Sequence, residues 1–202
     1  LGVMRGGDLV YTKGYGYANL DYGIPIDAET VFNVGSMSKQ FAAAGILQAS
    51  LEGELSLDDD IRVWLPEFPD YGNAITVRHL LTHTSGLFDP TGMAEYTEKI
   101  IGDPSHNWTR SEQVQIAMDW GDPLGPPGAF YAYCDPGYGL LGAVVEQASG
   151  RPMALAVREL VGYQRLGLGS TWWEVMEPRP EAVPVRAHQF LGEVDVHAFY
   201  PT

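Results

Sequence analysis

An α/β fold is what this sequence predicts, and three observations carry it. The first 20 residues are rich in strand formers around a Gly-Gly turn. Residues 40–49 are apolar at nearly every position. Residues 137–149 form a second apolar stretch, closed by Gly150. In the opening stretch Leu1, Val3, Leu9, Val10, Tyr11, Tyr15 and Tyr17 suit a pleated strand, and Gly6-Gly7-Asp8 suits the reversal between two strands, so a hairpin over 1–20 is expected. Residues 21–33, with Pro25, read as irregular. At Gly35 the period changes. Gly35-Ser36-Met37-Ser38-Lys39 leads into an alanine-rich run that predicts a buried helix, with Gly53 as its stop.

Residues 76–81 begin another helical stretch, broken at Ser85-Gly86. Short helices are expected near 93–101 and 111–120, then a Pro/Gly loop over 123–128. Leu140, Leu141, Val144 and Val145 mark the helix over 137–149, and Pro152 opens another that runs to about Val161. Beyond Gly169 the text is irregular, with a short extended patch near 194–199.

Composition narrows the function classes. The 202 residues carry 26 acidic and 12 basic side chains, a formal net charge of −14. Such a balance argues against nucleic acid as a partner, because displacing the counterions of a polyanion needs basic side chains. It argues equally against an anionic membrane surface. At 45% hydrophobic and 19% charged residues, the chain has the means to bury a core. One cysteine leaves no internal disulfide and no multi-cysteine zinc site. No apolar run approaches the roughly 20 residues of a membrane span, and no signal peptide is visible.

Ser36-Met37-Ser38-Lys39 is the sharpest chemical feature. A serine hydroxyl is a weak nucleophile until a neighbour takes its proton. A lysine three residues further along a helix lies on the same face. If that face is dry, the lysine's pKa falls and its amine can accept or relay the proton. Helix N-terminal amides nearby favour developing negative charge. The second feature runs from Pro127 to Tyr138, where Tyr133-Cys134-Asp135 precedes a helix. A phenol serves as a base only beside a cation, and Lys39 is the candidate for it.

Taken together, Ser36-Met37-Ser38-Lys39-Gln40, His79-Leu80-Leu81-Thr82-His83-Thr84-Ser85-Gly86-Leu87 and the stretch from Pro127-Gly128 to Tyr138-Gly139-Leu140-Leu141-Gly142 resemble the serine β-lactamase and penicillin-binding-protein superfamily. The similarity is greatest to its class C β-lactamase-like branch of esterases, DD-peptidases and D-aminopeptidases. It extends to the opening residues 10–18 and to Leu55-Ser56-Leu57-Asp58-Asp59. The resemblance implies a β-lactamase/transpeptidase-like architecture, an antiparallel sheet flanked by helices plus a helical lobe. It implies one domain over 1–202, with the hairpin in the sheet and the active site in a mainly helical part over 34–165. It also implies a serine hydrolase working through an acyl-enzyme on an ester or on a peptide or amide bond of a small-molecule or peptide substrate, with no cofactor. In that scheme Ser36 is the acylated nucleophile, Lys39 its proton partner and Tyr133 the general base, and the Ser36 backbone N–H is one oxyanion donor. A non-catalytic, penicillin-recognising or scaffold protein is the rival reading, and β-lactamase activity a lesser one. Members of the superfamily are often exported.

Two departures from the family pattern matter. Its Tyr-x-Asn reads Tyr133-Cys134-Asp135 here. An ionised Asp only accepts hydrogen bonds, so Asp135 would hold Lys39 as ammonium and raise its pKa, or receive a substrate amine. The family's late Lys/His-x-Gly motif is not found before Thr202. The sheet is therefore expected to lack its C-terminal strands here, the sequence being either a fragment or completed by a second polypeptide segment.

The remaining candidates weigh less. His79 and His83 stand at i, i+4, a zinc-like spacing without the Glu of His-Glu-x-x-His, and are expected to be structural. Asp58–Asp60 reads as a cap or solvated turn, Cys134 as a small buried residue, and Trp108, Trp120, Trp172 and Trp173 as core rather than cleft.

Overall fold

The computed structural model describes residues 1–102, 106, 109–119, 121–174, 176–180, 186–191 and 194–195. Contacts divide the chain into two units, Leu1–Gly35 with Leu168–Thr202, and Ser36–Gly167.

The first unit carries the strands. Gly6 and Gly7 both take positive φ, 60° and 92°, which a two-residue reversal between twisted strands demands. Around them β1 (Gly2–Arg5) pairs antiparallel with β2 (Asp8–Thr12), in the register Arg5 to Asp8 and Met4 to Leu9, with a bulge that shifts Val3 to Tyr11. The hairpin is thus shorter than the expected 1–20. Tyr17 belongs to a separate pair, β3 (Tyr17–Asn19), from the end of the expected hairpin, with β4 (Ile24–Pro25), from the stretch read as irregular. Pro25 is the last residue of that two-residue strand, a position that tolerates its missing N–H.

The second unit is mainly helical. A 3₁₀ turn, Gly35–Ser38, runs into α1 (Lys39–Glu52). Then come α2 (Val77–Leu81), α3 (Ala94–Gly102), α4 (Arg110–Asp119), α5 (Asp135–Ser149) and α6 (Met153–Val161). Gly53, Gly150 and Gly162 end α1, α5 and α6 in the left-handed conformation, where a glycine costs least. α2 starts in a capping box. The Thr76 hydroxyl accepts the His79 N–H and His79 Nδ1 accepts the Thr76 N–H, so His79 serves the helix end. Asp58 pairs with Arg78 and Asp60 caps the turn at Ile61–Val63. The aspartates therefore act as caps and surface partners.

The core of this unit comes from α1, α5 and α6. Ala42, Gly45, Ile46 and Ala49 of α1 are buried at i, i+3, i+4 and i+7. α1 packs against α5, where Leu140, Leu141, Val144 and Val145 are buried, and against α6, where Ala154, Ala156 and Val157 are buried. α1 is less enclosed than its apolar sequence suggested, since Leu47 and Leu51 are exposed. Close approach depends on Gly45. A Cβ there would lie 3.2 Å from Val157 Cγ2 and 3.5 Å from its Cα. A valine on a helix has one strongly preferred rotamer and cannot swing aside. Gly45→Ala is therefore expected to lower stability by about 1 kcal/mol, overpacking outweighing the gain in helix propensity. A thermal melt checks this, and a raised Tm would show that the α1–α6 contact yields.

A third strand pair joins β5 (Phe190–Leu191), ahead of the expected late extended patch, to β6 (Val194–Asp195), at its start. The remainder of that patch, and Trp108 and Trp120, lie outside the described residues. Trp172 and Trp173 are half-buried. Among the described residues the paired strands are antiparallel and helices predominate, so the chain has the mixed α/β character expected of it.

Candidate functional site

All four residues singled out from sequence meet at one place in the helical unit. Ser36 sits in the 3₁₀ turn and Lys39 opens α1, three residues on, which turns both side chains to one face. Tyr133 ends the loop before α5, and Asp135 is the first residue of α5. Lys39 Nζ donates to Ser36 Oγ at 3.1 Å and to Asp135 Oδ1 in a short ion pair. Tyr133 OH donates to Ser36 Oγ at 2.8 Å. The serine oxygen thus holds two donors and lies exposed, open to an approaching carbonyl. Lys39 is the most enclosed of the group, its side chain 17% exposed against 38% for Asp135.

Aromatic faces complete the surroundings of the ammonium. Lys39 Nζ lies 5.0 Å from the centroid of the Tyr133 ring and 5.6 Å from that of Tyr138. Tyr138 OH donates to the Leu81 carbonyl at 3.1 Å, which ties α5 to the end of α2.

Lys39 does not behave as a lysine on a dry face should. Burial pulls its pKa down, but the hydrogen bond to Asp135, reinforced by Tyr133 and by the Asp135 charge, raises it above the ordinary lysine value. The amine is an ammonium in the resting site. The second expectation, that the Asp in place of the family Asn would hold the charge, is the one that prevails.

A second layer was missed in the sequence. His83 takes φ 55°, a left-handed value that is uncommon outside glycine. Its carbonyl accepts the Ala132 N–H at 2.8 Å and its Nδ1 accepts the Cys134 N–H at 3.1 Å. Asp89 Oδ2 accepts the Asp135 N–H at 2.8 Å, where a carboxylate also favours the positive end of α5. His83 was expected to be structural, within the motif over 79–87, but its part in holding the loop around Tyr133 was not foreseen. Cys134 is buried, and burial first of all pushes its thiol up to about 12, so it stays a protonated packing group.

The chain is similar to known proteins over most of its length. The Beta-lactamase family model matches residues 1–190. The esterase EstB of Burkholderia gladioli is 33% identical over 90% of this chain and 48% of its own length. Penicillin-binding protein 4* of Bacillus subtilis is 32% identical over 96% of this chain and 41% of its own. Among solved structures, the octameric penicillin-binding protein homologue from Pyrococcus abyssi superposes with a TM-score of 0.73 at 30% identity, covering 89% of this chain and 42% of that one. The D-amino acid amidase from Ochrobactrum anthropi SV3 complexed with L-phenylalanine amide gives 0.72 at 27% identity, over 88% and 48%. The chain spans less than half the length of these relatives. With nearly its whole length matched by the family model, the chain belongs to the β-lactamase family.

Proposed function

We propose that this chain carries the nucleophile and proton carriers of a serine hydrolase that forms an acyl-enzyme from an ester or from an amide or peptide. One observation supports this most directly. Ser36 Oγ lies within hydrogen-bond reach of both Lys39 Nζ and Tyr133 OH, at 3.1 and 2.8 Å. Ser36 Oγ attacks the carbonyl, and its proton passes to whichever of the Lys39–Tyr133 pair has given one up. That proton goes on to the leaving alkoxide or amine. Water, deprotonated by the same pair, then releases the acid and restores Ser36. With Lys39 held as an ammonium and Tyr133 OH donating to Ser36, the pair must lose one proton before it can accept one. Turnover therefore rises toward alkaline pH.

The substrate class follows the relatives by name: an esterase, penicillin-binding proteins and a D-amino acid amidase. We rank ester and amide or peptide bonds above β-lactams, because Asp135 cannot donate to a substrate carbonyl as an Asn would. Asp135 Oδ2 accepts no hydrogen bond among the described residues and would receive a substrate amine, while Oδ1 remains on Lys39. The family model runs across both units, which supports treating them as parts of one domain.

A fluorophosphonate probe tests the proposal. Intact-mass spectrometry is expected to show one adduct, absent from Ser36→Ala. No adduct on folded protein overturns the hydrolase. An adduct with a burst of p-nitrophenol from p-nitrophenyl acetate and no steady turnover would favour the penicillin-recognising reading. Asp135→Asn separates the two duties of that residue. Removing the carboxylate takes away what holds Lys39 charged, so the alkaline rise of kcat/KM is expected to begin at lower pH and the rate at neutral pH to increase several-fold. Preference for an amino-acid ester over a simple ester is expected to fall, and an unchanged preference would leave Asp135 as a partner of Lys39 alone.

A further inference from the structure

His83 is placed where it can govern the proposed base without touching substrate. The residue before Tyr133 gives its N–H to the His83 carbonyl, at 2.8 Å, and the residue after it gives its N–H to His83 Nδ1, at 3.1 Å. Tyr133 is therefore held on both sides by one residue. The rings add a third hold. Those of His83 and Tyr133 lie 4.4 Å apart with 30° between their planes, and Tyr138 lies 5.1 Å from His83. The left-handed backbone of His83 turns its carbonyl and its imidazole toward the same loop, a conformation a non-glycine residue adopts at a cost.

We propose that His83 is the positioning residue for Tyr133, that its neutral imidazole keeps the phenol on Ser36, and that protonation of Nδ1 opens the clamp and switches the site off in acid. This rests on the serine-hydrolase reading above. The chemistry is a single proton taken from solvent. While Nδ1 accepts the Cys134 N–H, the ring proton is on Nε2. Once Nδ1 is protonated it becomes a donor facing a donor, and the Cys134 N–H has lost its acceptor. The new imidazolium also adds a second positive charge beside Lys39.

The groups around the ring favour the neutral form. Burial holds its pKa below the ordinary histidine value, and Lys39 of α1 acts in the same direction. Asp135 of α5 and Asp89, which follows α2, oppose this and do not prevail. Tyr131 and Tyr133 of the loop and Tyr138 of α5 face it with their rings, and Cys134 only with its backbone. The clamp is thus closed at neutral pH and opens below the ordinary range of a histidine.

Two variants test it. His83→Gly fits the positive φ without strain and removes the ring. It is expected to lower kcat by about 10- to 100-fold with little change in KM, since a displaced base impairs chemistry more than binding. His83→Asn tolerates the same φ, and its Oδ1 can accept the Cys134 N–H but cannot titrate. It is expected to restore most of the rate that His83→Gly loses and to abolish the second, steeper fall of kcat that His83 adds below the ordinary histidine range, leaving only the limb set by the Lys39–Tyr133 pair. A wild-type rate in His83→Gly, or an unchanged steeper acid fall in His83→Asn, overturns the inference. If His83→Gly does not fold, the slope of the acid limb in His83→Asn decides. Fluorophosphonate labelling of the wild type and of Ser36→Ala separates the two failures. No Ser36 adduct sinks the hydrolase reading, whereas a normal adduct with unaffected His83 variants sinks only the clamp.

Discussion

Ser36→Ala is expected to lower ester turnover by about 10⁴-fold or more while leaving the Tm essentially where it was. The size of the effect follows from the chemistry. Losing a covalent nucleophile removes the acyl-enzyme route altogether and leaves only what binding and oriented donors provide. Ser36 is also the atom on which the site converges, since both Lys39 Nζ and Tyr133 OH point to its Oγ. Without it neither proton carrier has a substrate-bound partner. Stability should barely move, because the hydroxyl is exposed and an exposed substitution typically changes stability by less than about 0.5 kcal/mol. Initial rates with p-nitrophenyl acetate and a thermal melt on the same sample decide it. A variant that keeps a tenth or so of the rate would mean another group performs the attack.

Lys39→Met is the second large effect, and it should be compound. Loss of the amine removes a proton carrier, a contribution of about 10²- to 10⁴-fold. It also leaves the Asp135 carboxylate without its ion-pair partner, beside the Tyr133 and Tyr138 rings that the ammonium had faced. The single variant is therefore expected to lose both rate and Tm. Adding Asp135→Asn removes the stranded charge, so the double variant should recover Tm and not rate. Lys39→Arg asks a different question. Arginine keeps the positive charge but does not release a proton in a protein. If Lys39 only supplied charge, Lys39→Arg would retain activity, and near-wild-type kcat there would exclude Lys39 as a proton carrier.

What could be seen in the sequence was local. Ser36 and Lys39 are three apart at a helix start, so spacing alone brings them to one face. Gly53 and Gly150 stop their helices because a left-handed terminal residue needs a glycine, and both lie where they were expected. The serine and the tyrosine, 97 positions apart, were joined only by resemblance to a family, and in the structure they share a hydrogen bond. The charge on Lys39 was ambiguous because two opposing forces act on it. Burial and the Asp135 carboxylate pull its pKa in opposite directions, and only distances decide between them. The β3–β4 pair was missed because two-residue pairing leaves too short a pattern to read. His83 was expected to be structural, but its role in the loop went unread for a stronger reason. Its left-handed backbone and the aim of its Nδ1 are products of tertiary packing, and nothing in His83-Thr84-Ser85-Gly86 announces them.

The connectivity of the site has a consequence for how the protein would fail on warming. Ser36 and Lys39 are tied through three residues of a single turn, so their distance survives as long as the start of α1 does. Tyr133 reaches Ser36 across a seam between segments distant along the chain, and its hold depends on the His83 clamp. A seam of that kind opens locally at a free energy below that of global unfolding. Inactivation should therefore run ahead of melting. Amide protons at Ala132 and Cys134 would exchange with solvent before those in the middle of α5, and a sample would lose turnover while its helices were still intact.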